Sequence, residues 1–210
     1  MVFADFYFLF ALTYHSSQPL SLFPSSFRYH IHGLDSVSAN GHQTDYTKIY
    51  FDGAPTSLNV IVDDVSVKLL PQQCNNLIEN PSFEQGSAFW LQTDENKDRV
   101  KLSLYPGAGG EGDFALRAHA RDHRWRGIMQ KLDARCFVPG EELTITAKFK
   151  LLNATDGQGL GCDVNDQRST DDNCPHVMIK GRTCSLGNDI YWRFWNTNSE
   201  WDKDSFNDFR

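Results

Sequence analysis

Three arginines, a histidine and a tryptophan fall within six residues at Arg121-Asp122-His123-Arg124-Trp125-Arg126. Arg121, Arg124 and Arg126 can donate hydrogen bonds to hydroxyls, or pair with carboxylates or sulfates. The indole of Trp125 adds a flat apolar face of the kind that stacks on rings. The same residues also fit an exposed hairpin with solvated arginines and a half-buried tryptophan. A second group lies downstream. Tyr191, Arg193 and Trp195 alternate with Ile190, Trp192 and Phe194. Period two puts the two trios on opposite faces of one strand. The first trio therefore extends a binding platform or forms a second apolar layer. A third feature is a lone carboxylate in an apolar row. Strict alternation places Asp63 on one face with Ile61, Val65, Val67 and Leu69. A buried carboxylate must be neutralised, paired or bound to a metal. The plainer alternative puts Asp63 at a sheet margin, bonded to backbone amides. His30 and His32, or His119 and His123, have no companion at metal-ligand spacing. No nucleophile elbow or phosphate loop is present.

These groups need strands to hold them. Leu143 to Leu151 alternates apolar residues with Thr and Lys, and Val100, Leu102 and Leu104 form another apolar face. Phe114, Leu116 and Ala118 form a third. Turn residues separate the runs at Pro106-Gly107, Gly109-Gly110, Pro139-Gly140 and Gly157-Gln158-Gly159. Short strands with frequent turns, and no sustained helical period, predict an all-β antiparallel sandwich. Trp90 and Trp201 are expected in its core.

The formal net charge of −7 over 210 residues argues against a nucleic-acid partner, which needs a basic face. Five Trp, seven Tyr and fifteen Phe serve either sugar stacking or a sandwich core. The five cysteines contain no C-x-x-C pair and read as disulfides of an oxidising compartment. Cys162 and Cys174 bracket a polar loop that a disulfide would close. Asn153-Ala154-Thr155 is a glycosylation acceptor triplet, in keeping with secretion. Residues 1–27 read as a leader or linker. The apolar run Phe6 to Leu12 is too short to span a membrane, and it fits a signal peptide except that Asp5 replaces the basic n-region.

Two phrases carry a family resemblance. Asn80-Pro81-Ser82-Phe83-Glu84, followed by Trp90, resembles the opening of carbohydrate-binding modules of the family four, nine and twenty-two type. Val60-Ile61-Val62-Asp63-Asp64-Val65-Ser66-Val67 resembles the last strand of such a module. Glu111-Gly112-Asp113-Phe114-Ala115-Leu116, Gln130-Lys131-Leu132 and Ser199-Glu200-Trp201 follow the same family order. The resemblance implies a galactose-binding-like jelly roll. It implies that 28–70 closes one module and 74–210 opens a second, with neighbouring modules in a longer parent chain. The 46–70 segment is then expected at the vacant edge of the 74–210 sheet, giving a permuted sandwich. It further implies a structural calcium held by Asp63, Glu84 and Glu111, with carbonyls near Ser82 and Phe114. Trp125 matches a sugar-stacking aromatic of some relatives. The implied function is non-catalytic polysaccharide binding in a secreted or cell-wall protein. The alternatives are an accessory part of a glycoside hydrolase whose catalytic domain lies elsewhere, and a structural or adhesion sandwich without a sugar site.

Overall fold

The computed structural model describes residues 27–30, 47–70, 76–93, 99–133, 136, 142–163, 174–182, 189–195 and 200–209. Residues 1–26 of the expected leader, the 71–74 linker, the Pro139-Gly140 turn, Cys74 and Cys184 lie outside them. Twelve strands are described: β1 Phe27–His30, β2 Lys48–Asp52, β3 Leu58–Leu70, β4 Leu91–Gln92, β5 Lys101–Pro106 and β6 Phe114–His119. They continue with β7 Ile128–Lys131, β8 Glu142–Asn153, β9 Gly159–Leu160, β10 His176–Arg182, β11 Asp189–Trp195 and β12 Asn207–Asp208. One sheet runs β1-β8-β3-β6-β5, and the other runs β11-β10-β2-β7-β4. Every pairing is antiparallel. The short strands β1, β12 and β9 take successive stretches of the β8 edge that β3 leaves open. No described helix is long and apolar enough to cross a membrane.

The two sheets face each other across one core, so the chain is a β-sandwich. Ile49, Phe51, Ile128, Val177, Ile179 and Phe194 enter from one sheet. Val60, Val62, Val67, Leu116, Ile145 and Phe149 meet them from the other. Phe51 bridges the layers, with ring centroids 5.9 Å from both Trp90 and Phe149. Trp90 is buried as expected, and its indole N–H donates to the Asn80 carbonyl at 3.0 Å. Trp201 packs half-buried against the same core and donates to the Leu160 carbonyl at 3.1 Å. Cys162 and Cys174 form the expected disulfide, with Cα atoms 4.8 Å apart, and Cys136 is disulfide-bonded as well.

The 46–70 segment does not sit at an edge. β3 lies between β8 and β6, and β2 lies between β10 and β7. The reason is burial on both faces. Val60, Ile61, Val62 and Asp63 are successive buried residues. Such an unbroken run belongs inside a sheet, because an edge would expose part of it. Stretches 28–70 and 74–210 thus build the same two sheets.

One local expectation is corrected. Asp63 does not share a face with Val65, Val67 and Leu69. The β3–β8 register slips by one residue between Asp63 and Ser66, and Asp64 takes a left-handed φ of 48°. This bulge reverses the alternation. Val60 and Val62 join Val65, Val67 and Leu69 in the core, while Ile61 packs on the outer side with Ala115 and Leu152. Leu77 to Phe83 runs as a series of bends and turns. Asn80 and Phe83 both adopt positive φ, at 51° and 59°. The Asn80 amide satisfies the turn by donating to the Gly86 and Ala88 carbonyls and accepting from the Gln85 N–H. Leu77 and Pro81 still hydrogen-bond to Val67 and Val65, which fastens the stretch alongside β3.

Candidate glycan-binding cleft

The outer face of the β11-β10-β2-β7-β4 sheet carries a cleft of about 380 Å³. It brings together four residues singled out from sequence: Trp125, Arg126, Tyr191 and Arg193. Tyr50, Asp52, Thr93, Met178 and Lys180 complete the lining. Strand parity explains the arrangement. Ile49 and Phe51 point into the core, so Lys48, Tyr50 and Asp52 point out; Val177 and Ile179 likewise turn Met178 and Lys180 outward. Tyr50, Met129 and Met178 form a buried apolar patch on this face, with Leu91 against it.

Above this floor stand two exposed rings. Trp125 is 55% exposed and Tyr191 is 54% exposed. His123 stacks on the indole with centroids 4.3 Å apart and planes 7° apart, which fixes the plane of the Trp125 ring. The Lys180 ammonium lies 5.2 Å from the centre of the Tyr191 ring. The Arg193 guanidinium lies 5.3 Å from the Trp195 ring, a cation–π distance. Trp195 shares the outward face but stands beside the cleft, its ring centre 5.0 Å from that of His176. Beneath it, His176 Nε2 is 2.7 Å from Asp52 Oδ1, with both side chains buried.

The loop carrying Trp125, which crosses from β6 in one sheet to β7 in the other, is held by hydrogen bonds to Gly53. The Gly53 N–H donates to the Arg124 carbonyl at 2.9 Å, and Arg124 Nε donates back to the Gly53 carbonyl at 3.1 Å. Gly53 has a φ of 102°, and a Cβ there would fall 2.1 Å from His176 Nδ1, so only glycine fits. Thr93 and Gly127 exchange two further bonds across the cleft wall.

The other sequence-selected residues are placed differently. Arg121 is 5% exposed and does not reach the cleft. Its guanidinium donates to the carbonyls of Ala54, Pro55, Leu58, Arg124 and Arg126. Burial is the main cause that lowers its pKa, to about 10, so it stays charged at neutral pH. Arg124 is half-buried and clamps Gly53. Arg126 lines the cleft while its Nε lies 3.5 Å from Asp122 Oδ1. Sequence reasoning missed Tyr50 and Lys180. The alternation of Lys48 to Asp52 and of His176 to Arg182 was the available signal, but pairing β2 with β10 could not be read from it.

The expected calcium ligands converge only in part. The Ala108 N–H brings the 107–113 turn to Asp63, and the Pro81 carbonyl accepts from Val65 nearby. Glu84 and Glu111 are exposed, Ser82 is half-buried, and Phe114 is 37% exposed. Among the described residues, no three His, Cys, Asp or Glu side chains form a metal-holding group. Both Asp63 oxygens instead accept backbone N–H groups, from Asp64 at 2.7 Å and from Ala108 at 2.8 Å. This arrangement fits a buried carboxylate held by amides.

Burial pushes the Asp63 pKa up from 3.8 to about 6, against the pull of those two amides. The folded state therefore binds the proton more tightly than the unfolded chain does. The stabilisation is complete below the unfolded value and is lost as pH rises through about 6. The shift corresponds to roughly 3 kcal/mol. The stability of the parent chain minus that of Asp63→Asn, followed by urea unfolding in metal-free buffer, should fall by about that amount between pH 4 and pH 7. A difference that stays constant with pH would show that Asp63 does not titrate in this way.

No family model, curated protein or solved structure matches the chain.

Proposed function

We propose that the protein is a non-catalytic carbohydrate-binding module of the galactose-binding-like jelly-roll kind. The observation that carries the reading is the cleft, where two exposed rings, Trp125 and Tyr191, stand over an apolar floor beside Arg126, Lys180 and Arg193. A concave site with apolar walls and a few polar groups suits a small ligand or one segment of a chain. A sugar ring has apolar faces for the aromatics and hydroxyls for the donors. A glycosidase would instead need two carboxylates set across the substrate. Of the described residues lining the cleft, Asp52 carries a carboxylate, and it is buried against His176.

Secretion or a cell-wall location belongs to the same proposal. The Cys162–Cys174 disulfide supports an oxidising compartment. Asn153 closes β8 at an exposed turn, where its side-chain oxygen accepts from the Thr155 N–H at 2.8 Å. That presentation suits a glycosylation acceptor.

The test is a glycan array with oxidised protein whose folding has been checked by circular dichroism. Retention of a polysaccharide class, lost on competition with the matching soluble oligosaccharide, is the expected outcome. Silence from folded protein would overturn the proposal and favour a structural or adhesion sandwich.

A further inference from the structure

We infer that Asp52 selects the glycan by accepting a hydrogen bond from a sugar hydroxyl, which favours a neutral sugar over an acidic one, and that His176 is its positioning residue; this deepens the carbohydrate-binding reading and rests on it. The carrying observation is a carboxylate that lines the cleft and yet is only 1% exposed. His176 Nε2 lies 2.7 Å from its Oδ1, but the contact lacks hydrogen-bond alignment. Among the described residues, Asp52 Oδ1 and His176 Nδ1 are buried atoms with no hydrogen-bond partner. Such atoms are uncommon and call for an explanation. A donor brought into the cleft would satisfy the carboxylate. The sheet register holds the group in place. Trp195 pairs with His176, and His176 with Asp52, so the three form a row across β11, β10 and β2. Gly127 closes over β2 so tightly that a Cβ there would fall 2.0 Å from the Phe51 carbonyl oxygen and 3.1 Å from Asp52 Cβ. Packed this closely, the carboxylate and the imidazole are fixed before any ligand arrives. Arg193, Met178 and Tyr50 form the next row along the strands, about 7 Å away. A sugar ring resting on Tyr50 and Met178 would turn its edge toward Asp52.

A hydroxyl suits an acceptor this deep. Its hydrogen bond to a carboxylate is stronger than one between neutral groups, and it carries no charge out of water. An ammonium would have to shed a tight hydration shell to reach the same oxygens. A second carboxylate would meet Asp52 as a like charge, in surroundings where salt screens poorly. Coulombic attraction links Asp52 to the buried Arg121 guanidinium, so its charge is partly compensated from within the fold. The cations of the cleft do not call for an acid. Arg126 faces Asp122 at 3.5 Å, Lys180 lies against the Tyr191 ring, and Arg193 lies against the Trp195 ring.

The experiment uses the full chain in calorimetric titrations with neutral hexasaccharides of glucose, mannose and galactose, the form of each oxidised at its primary hydroxyls, and a glucosamine hexamer. A neutral probe should bind more tightly than its oxidised form. Asp52→Asn keeps the shape and replaces one acceptor oxygen with a donor. It should weaken the neutral probe roughly tenfold, the scale of one hydrogen bond to a charged group, and leave the oxidised probe no weaker. That split marks selection, because structural damage would lower both affinities together. His176→Phe keeps a ring against Trp195 and removes the nitrogen facing Asp52, so it should narrow the same split by a smaller factor. Thermal midpoints establish that each variant is folded. If the Asn variant does not fold, the parent's preference and the His176→Phe variant decide. Tighter binding of an oxidised form by the parent, or tightest binding of the glucosamine hexamer, would overturn selection by Asp52 and leave the carbohydrate-binding reading standing. So would a folded Asp52→Asn variant that binds as the parent does or loses both probes in parallel. A His176→Phe variant with the parent's split would remove His176 from its positioning role. Binding of none of the probes by folded parent protein would overturn the proposed function itself.

Discussion

Replacing Arg121 with Met is expected to cost about 4 kcal/mol of folding stability, the scale seen when a buried charge's partner groups are left behind. Domains of this kind are stable by only about 5–15 kcal/mol, so much of the native population is at risk. Two effects oppose each other. Removing a buried guanidinium recovers its desolvation cost, and a well-packed apolar replacement of a buried ion can be neutral or better. Here the partners decide the outcome. Five backbone carbonyls, from Ala54, Pro55, Leu58, Arg124 and Arg126, take hydrogen bonds from this one side chain. Methionine satisfies none of them; the Arg124 and Pro55 carbonyls keep the Gly53 and Leu58 N–H groups, but each buried acceptor left unpaired costs about 1–3 kcal/mol. Asp52 would also lose a nearby positive charge. Arg121→Lys keeps the charge but has three donors on a point-like head, so it should recover only part of the loss. Urea unfolding followed by tryptophan fluorescence measures both variants. A Met variant as stable as the parent would show that the carbonyls find other donors. Because Arg121 joins the 53–58 turn to the 121–126 loop, any surviving folded Met variant should also bind glycan less well.

That role was hidden in the sequence, where Arg121, Arg124 and Arg126 look interchangeable. Their fates depend on which backbone carbonyls converge on each, and that is settled by a loop more than sixty residues upstream. What depends on strand parity was legible. The alternation of Tyr191, Arg193 and Trp195 with Trp192 and Phe194 separates the two faces of β11, and Trp125 stands out in the sequence as a ring beside donors, while the exposure of both groups came from the structure. Parity fails wherever the chain inserts a residue. One left-handed residue, Asp64, moves Asp63 from the core side of β3 to the outer side. Aspartate tolerates that conformation better than most residues, but nothing in the letters requires it. The pairing of one strand with another lies further out of reach. Lys48, Lys131 and Lys180 become neighbours only through the registers of two separate strand pairs. Local pattern gives each strand its faces and cannot align one strand with another.

Trp125→Ala is expected to weaken glycan binding by about 2 kcal/mol, roughly thirtyfold, while leaving the fold intact. The size follows from the geometry of the cleft. A tryptophan at the centre of a binding patch commonly contributes this much, because its ring supplies a large rigid contact that little else replaces. The indole is already oriented by the stacked His123, so the free protein need not order it on binding. The fold should survive because the ring is 55% exposed and lies outside the buried core. The loop beneath it is fastened by Arg121, Arg124 and Gly53, none of which uses the Trp125 side chain. Trp125→Phe separates the two contributions of the ring. It keeps an aromatic face and should restore most of the affinity, whereas a role limited to shape would leave Phe and Ala alike. His123→Ala should fall between them, since it leaves the indole in place and removes its support. Affinity electrophoresis against the retained polysaccharide, with thermal midpoints for each variant, gives the comparison. If Trp125→Ala binds as the parent does and remains folded, the sugar does not stack there, and the weight of the site moves to Tyr191 and the cations around it.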